Sequence, residues 1–388
     1  MANPYSLSIA QVKNKRVLVR VDYNVPITPD GKISDMTRIV KTLPTIKYLL
    51  QQQAKVTLCA HLGRPKGKDL SQSLQPIAQA LRNLGYQVVF VPDCIGKLVE
   101  ESLERQQDNE VIMLENLRFY DGEEKNDPQF AQQLIAPFDL FVNDGFGVCH
   151  RDAASVSGVV AYKPSYFGFL LEQEIEKLSS VLNPQKPAMV VLGGAKISTK
   201  LQLIKQLLPK VDGVLLGGAM IFTFYKAMGL NVGKSPVEEA MLGEAKALLS
   251  NPKLYLPVDI VVAKEKTQQA PTSIVQPDQI QNDEYGLDLG PKTIALYRTL
   301  LSPAKTIFWN GPLGLFEIPQ FATGTMAIAQ YLATLQANVV VGGGESVAAI
   351  TQAGLEERFY HVSTGGGASL EFLEGKALPG IAAILKQG

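Results

Sequence analysis

Six basic side chains in the first half of the sequence, Arg20, Arg38, His61, Arg64, Arg118 and Arg151, are of the types that grip an anion. A guanidinium is a planar fork that matches two oxygens of a phosphate or carboxylate at once. All but Arg38 follow short apolar runs, in "RVDYN", "HLGRP", "ENLRF" and "NDGFGVCHR". Asp22 and Asn24, just past Arg20, add a carboxylate and an amide able to hold a hydroxyl. Any one of these arginines taken alone reads as a surface ion-pair residue. Taken together at strand ends, they point to a site for a small, strongly anionic ligand. His61 belongs with Arg64 in one motif and reads as an anion contact. His150 reads as a structural hydrogen-bonding residue, and Cys149 beside it points the other way if the segment is extended.

The second half is built from different parts. "VVLGGAKISTK" puts Gly194 and Lys196 just past an apolar run and Lys200 four residues later, one turn on if a helix begins there. "NVVVGGGESVAAI" runs from a strand-like stretch into Gly342, Gly343 and Gly344, then Glu345 and Ser346, then a helix-like segment. Glycines admit a ligand close to the backbone, and amides at a helix N-terminus hold phosphate oxygens. One glycine pair after a strand is ordinarily packing or a turn. With "GGAM", "WNGP" and "STGGGAS" in the same half, a nucleotide site is favoured. "GLNVGKS" imitates a P-loop, but Met228 stands where its first glycine belongs; "GGGESVA" has Val347 at the third glycine position of a dinucleotide fingerprint.

Such residues need a scaffold that gathers strand ends. Runs such as "RVLVRV", "KVTLCA", "QVVFV", "VIMLE", "LFVND", "AMVVLGG", "GVLLGG", "DIVVA", "TIFWNG" and "NVVVGGG" are apolar on both faces, as strands buried in a parallel sheet are. The stretches between them are long enough for crossover helices. The expectation is an α/β protein of two doubly wound parallel-sheet, Rossmann-like lobes, with chemistry beyond the carboxyl ends of the strands. The division falls near residues 162–187, with a helix over about 166–182 bridging the lobes; spacing leaves open which lobe the tail joins.

The chain has 388 residues, 46% hydrophobic and 19% charged, a globular composition. Lysine plus arginine equals aspartate plus glutamate, 37 against 37, which argues against a general nucleic-acid or anionic-membrane binder. No signal peptide or membrane-spanning run is visible, and the three scattered cysteines Cys59, Cys94 and Cys149 lack metal or redox spacing. A reduced, cytoplasmic setting is expected.

The ordered motifs "RVLVRVDYNVP", "DMTRIVKTLPTIKYLL", "HLGRP", "MLENLRF", "NDGFGVCHR", "GGAKISTKL", "WNGPLGLFE", "VVVGGGES" and "STGGGASLEFLEG" resemble those of the phosphoglycerate kinase family along essentially the whole chain. The resemblance implies reversible phosphoryl transfer from ATP to the carboxylate of 3-phosphoglycerate, giving ADP and 1,3-bisphosphoglycerate, in a two-lobe monomer with a hinge cleft. It places 3-phosphoglycerate on a lobe of residues 1–170 and the nucleotide on residues 171–372, with the tail 373–388 packing back on the first lobe. Arg20, Asp22, Tyr23, Asn24, Arg38, His61, Leu62, Gly63, Arg64, Arg118 and Arg151 would form the glycerate site. Gly194, Lys200, Asn310, Glu317, Gly342, Gly343, Gly344, Glu345 and Ser346 would serve the nucleotide, Glu345 its Mg2+, and Arg38, Lys196 and Lys200 the group in flight. This chain departs from the family at Glu345, where aspartate is usual. It departs also in "DGFGVCHRDAAS", at Thr199 and at Pro236. Glu345 and the altered 149–153 stretch motivate one alternative, a weakly active or non-catalytic nucleotide- and anion-binding homologue.

Overall fold

The computed structural model describes residues 3–28 and 31–387. The chain divides into two compact units, one ending at Glu176 and taking in the chain again from Ala377, the other Lys177–Lys376.

The first unit holds β1 (Arg16–Arg20), β2 (Lys55–Cys59), β3 (Gln87–Val91), β4 (Glu110–Leu114), β5 (Leu140–Asn143) and β6 (Ser165–Phe167). They form one sheet in the order β3-β4-β2-β1-β5-β6, every pair parallel. Val17, Leu18 and Val19 of the central β1 are fully buried, which is why that strand reads as an unbroken apolar run. The helix Thr37–Gln51 returns the chain from β1 to β2 and packs Ile39, Ile46 and Leu49 into the same core as Val17, Val56 and Val142.

The second unit holds β7 (Ala188–Leu192), β8 (Gly213–Leu216), β9 (Leu254–Tyr255), β10 (Ile260–Ala263), β11 (Thr272–Val275), β12 (Tyr285–Leu289), β13 (Thr306–Asn310), β14 (Asn338–Gly342) and β15 (His361–Val362). Six of these make a parallel sheet, β15-β14-β13-β7-β8-β9. Trp309 on β13 is wholly buried between Met189, Val191 and Val341 of its core, and its indole N–H donates to the Gly311 carbonyl at 2.9 Å.

The "DIVVA" run departs from expectation. It forms β10, paired antiparallel with β11 and β12 in a separate three-stranded sheet. Only residues 264–271 separate β10 from β11, whereas a parallel return needs roughly a dozen residues or more.

The helix Phe169–Leu182 carries the chain from the first unit into the second. Asp144, just past β5, caps it: Oδ1 accepts from the backbone N–H of Leu170 at 2.9 Å and of Leu171 at 3.2 Å. The last segment lies on the first unit, where Gly380 N–H donates to Cys149 O at 3.0 Å and Gln387 Nε2 to Val160 O at 2.8 Å. A Cβ at Gly380 would stand 2.6 Å from Val156 Cγ1, so that approach needs glycine. Among the described residues no helix is long and apolar enough to cross a membrane.

Candidate active site

Parallel strands deliver their carboxyl ends to one edge of a sheet, and in the first unit those ends gather the cations. Arg20 from the end of β1, His61 after β2, Arg118 after β4 and Arg151 after β5 line a single pocket. Arg20 and His61 are buried, at 2% and 3% exposure, and Arg20 Nη2 lies 3.1 Å from His61 Nδ1. Burial foremost, then the charges of Arg20, Arg118, Arg151 and Arg38, hold the His61 imidazole well below its ordinary pKa. With the imidazole held low, the cations on the pocket wall are the guanidinium groups; the carboxylates of Glu123, Glu124 and Asp152 share that wall, Glu124 Oε1 lying 3.0 Å from Arg118 Nη2.

The neighbouring loop is held by an amide. Asn116 Nδ2 donates to Leu62 O at 2.8 Å, and its Oδ1 accepts from Leu62 N–H at 3.2 Å. Gly63, with φ at 61°, gives its N–H to Asn24 Oδ1 at 2.9 Å and its carbonyl to Arg118. Leu62 and Gly63 are thus seated by backbone contacts.

Other expected glycerate residues stand apart from the pocket lining. Asp22 is engaged by Arg38, Nη1 to Oδ2 at 2.9 Å. Arg64 is exposed and makes no ion pair among the described residues. Tyr23 turns inward: it is wholly buried and its hydroxyl lies 2.7 Å from Thr42 Oγ1, so only its backbone faces the loop. Asp152 is exposed, with Oδ1 accepting from Asn126 Nδ2 at 2.9 Å and from Ser157 Oγ. Cys149 lies in a turn rather than in extended chain, and burial pushes its thiol pKa up.

Two buried residues that hold Arg20, Ser155 and the pocket-lining Glu123, were invisible in the sequence. Ser155 Oγ accepts from Arg20 Nε at 2.8 Å and donates to Glu123 Oε1 at 2.5 Å. No motif marks this pair, because 32 positions separate its members.

In the second unit a pocket runs past Gly194, Gly218, Phe222, Leu313, Glu317 and Glu345. Its walls are aliphatic and aromatic, with Tyr285 at one side under the Lys266 ammonium at 4.5 Å. A flat apolar slot leading to a glycine-lined end suits a nucleobase and its phosphates. Not every glycine serves the ligand. A Cβ at Gly193 would stand 1.9 Å from Pro312 O, so "GGAK" and "WNGP" need their glycines partly to pack on each other.

Lys200 precedes the helix Leu201–Leu207, and the turn before it covers only residues 198–200, so Lys196 and Lys200 do not share a helical face. Lys200 Nζ donates to Asn310 Oδ1, and Asn310 Nδ2 donates to Gly342 O at 2.7 Å. Burial lowers the Lys200 pKa, against the opposing pull of Glu345 and Glu374. The Lys196 ammonium is exposed and makes no ion pair among the described residues. Gly343, with φ at 89°, precedes the helix Gly344–Gln352, whose first amides lack intrahelical partners. Gly344 and Glu345 are exposed, whereas Ser346 is buried and its Oγ accepts from Gly311 N–H at 2.5 Å. Ser346 therefore ties two loops together through its hydroxyl oxygen.

Glu345 is the carboxylate in the first turn of that helix. Among the described residues no cluster of three metal-ligating side chains occurs. Magnesium commonly takes one or two carboxylates and completes its octahedron with water and substrate phosphates. One exposed carboxylate in the first turn of a helix fits an ion that arrives with a nucleotide.

The family model described as phosphoglycerate kinase matches residues 7–376. A phosphoglycerate kinase of Dictyoglomus turgidum is 51% identical over 381 residues, covering 96% of each chain. A protein of Triticum aestivum named phosphoglycerate kinase, cytosolic, is 49% identical over 98% of this chain and 97% of its own. The solved structure of phosphoglycerate kinase from Coxiella burnetii superposes with a TM-score of 0.89 at 40% identity, covering 98% of this chain and 99% of the other. Guanidinium groups around one pocket, a glycine-lined helix start beside a second, and this likeness along nearly the whole length place the chain in the phosphoglycerate kinase family.

Proposed function

We propose that the first unit binds 3-phosphoglycerate and the second binds Mg-ATP or Mg-ADP, and that the chain moves a phosphoryl group reversibly between them. The pocket lined by Arg20, His61, Arg118 and Arg151 carries this reading, because it puts three guanidinium groups and a neutral hydrogen-bonding imidazole around a space for a small anion. Asp22, Asn24, Arg38 and Arg64 complete the glycerate site, with backbone groups of Tyr23, Leu62 and Gly63 beside them. Gly194, Asn310, Glu317, Gly342, Gly343, Gly344 and Glu345 serve the nucleotide, and Ser346 shapes their loop.

A carboxylate oxygen of the acid attacks the γ-phosphorus, a new P–O bond forms, and the bond to the departing ADP oxygen breaks. The attacking oxygen carries no proton at neutral pH, so no general base is required. What remains is to place the partners in line and to neutralise the equatorial oxygens, tasks for fixed charges. Arg38 and Lys196 meet those oxygens, and Lys200 holds the γ end of the nucleotide. Magnesium, when bound, neutralises phosphate charge, and Glu345 is the residue that would hold it. The two ligands must come within bonding reach, which excludes water that would otherwise take the phosphoryl group. The reading extends to a monomer working in the cytoplasm, tested by sedimentation and by fractionation.

The deciding experiment is a coupled assay with purified protein, Mg-ATP and 3-phosphoglycerate. ADP formation that depends on 3-phosphoglycerate is expected. None above background would overturn the proposal.

A further inference from the structure

Arg20 has its donors largely committed inside the protein. Nε donates to Ser155 Oγ at 2.8 Å, Nη1 to Val21 O, and Nη2 points at His61 Nδ1 from 3.1 Å. A guanidinium has only donors, so His61 Nδ1 must be the accepting, unprotonated nitrogen, and the ring proton sits on Nε2. Arg20 is in turn fixed by two buried residues, Ser155 and Glu123, the second of them on the wall of the same pocket. Ser155 is wholly buried and Glu123 is 2% exposed. Ser155 donates twice to the Glu123 carboxylate, by its N–H to Oε2 at 3.0 Å and by Oγ to Oε1 at 2.5 Å. Glu123 Oε1 also lies 3.9 Å from Arg20 Nη2.

We propose that Glu123 and Ser155 are positioning residues that lock Arg20, and that Arg20 thereby presents His61 to the anionic ligand as a neutral imidazole donating from Nε2. The inference rests on the glycerate site proposed above. Its logic is tautomer control. A ring donating from Nδ1 would turn a lone pair towards the ligand's oxygens and repel them. Arg20, Arg38, Arg118 and Arg151 face the ring as cations and oppose its protonation, while Glu123 is the buried carboxylate nearest Arg20. Ser155 is the pivot, since its one hydroxyl both accepts from Arg20 and donates to Glu123.

The test is nitrogen-15 NMR of the His61 ring in the full chain, with steady-state kinetics, for the wild type, Ser155→Ala and Glu123→Gln. The wild type is expected to show a neutral Nε2–H ring near neutral pH whose Nε2 signal moves on addition of 3-phosphoglycerate. Each variant is expected to show mixed tautomers and a KM for 3-phosphoglycerate raised about tenfold, with kcat and the nucleotide KM within about twofold. A residue that only supports the fold would lower the melting temperature and leave the tautomer unmoved, and that result overturns the positioning role. Wild-type His61 found as imidazolium or as Nδ1–H overturns it even if neither variant folds. An Nε2 signal indifferent to 3-phosphoglycerate overturns the site assignment itself, and this inference with it.

Discussion

The Arg38 guanidinium lies 2.9 Å from the Asp22 carboxylate and 3.1 Å from the Asn24 carbonyl oxygen, at the mouth of the chain's first strand-end loop. Arg38 is 31% exposed while the Asp22 side chain is only 9% exposed, so water reaches the guanidinium far more than the carboxylate. The contact orients the Arg38 side chain over that loop and pairs the buried carboxylate.

Arg38→Ala should lower turnover by about two to three orders of magnitude, the scale for removing one preorganised charge at a transition state, with little change in melting temperature. Coupled-assay turnover near wild type would remove Arg38 from the reaction.

Lys196→Ala should behave alike for a different reason. Its exposed ammonium has no ion pair to lose among the described residues, so a deficit without loss of stability belongs to ligand binding or to catalysis. Calorimetry should give an unchanged unfolding midpoint, while kcat falls and the KM for nucleotide stays near its wild-type value. A deficit confined to KM would show that Lys196 only binds.

Gly343→Ala tests the phosphate cradle. Gly343 sits at φ 89°, and a Cβ there would come 2.5 Å from Asn310 Nδ2, the amide that donates to Gly342 O and accepts from Lys200. The strain, about 1–2 kcal/mol, falls on the loop, and Asn310 must move. A raised KM for ATP with an unchanged KM for 3-phosphoglycerate is expected. Gly243→Ala is the control, because a Cβ there meets nothing within 4 Å and the position lies outside the proposed site, so both constants should hold.

Glu345→Asp keeps the charge and shortens the reach, so the Mg2+ concentration for half-maximal rate should shift several-fold while the KM for 3-phosphoglycerate holds. Glu345→Ala should shift it further. A magnesium titration identical in all three proteins would mean that Glu345 does not serve the ion.

Asp144 governs a pH dependence of stability. Burial raises its pKa from 3.8 to about 7, so between those values the folded chain holds a proton that the unfolded chain has released. That contribution is complete below the unfolded value and is lost as pH rises through the folded one. Asp288, also raised to about 7 by burial, acts with the same sign. His61, held low, acts oppositely, its contribution present above the unfolded imidazole value and lost as pH falls. Asp144→Asn should reduce the drop in unfolding temperature between about pH 5 and about pH 8. An equal drop in variant and wild type would show that Asp144 does not titrate there.

Much of the fold was legible because strands buried on both faces must be apolar throughout. β1, β2, β4 and β13 follow their quoted runs to within a residue or two. β6, β9 and β15 escaped because two or three residues make no pattern, and β11 because its residues are largely exposed. "DIVVA" showed its strand but not its partners, since pairing direction depends on the connection as well as the run. Within the site, cations at strand ends were visible because chemistry restricts their type. Tyr23 stands between Asp22 and Asn24 in the sequence, yet its side chain points into the core, which adjacency alone does not show. Glu123, Ser155 and the aromatic wall around Phe222 and Tyr285 gave no signal, because their meaning lies in what the fold brings beside them.

The return of the chain at Ala377 to the first unit sets an order of completion during synthesis. Lys177–Lys376 is one unbroken stretch and can finish as soon as it clears the ribosome. The unit that starts to emerge first must wait for Gly380 and Gln387 to reach Cys149 and Val160. A nascent chain halted just before Ala377 would thus carry a finished second unit tethered to a first one still lacking its closing segment.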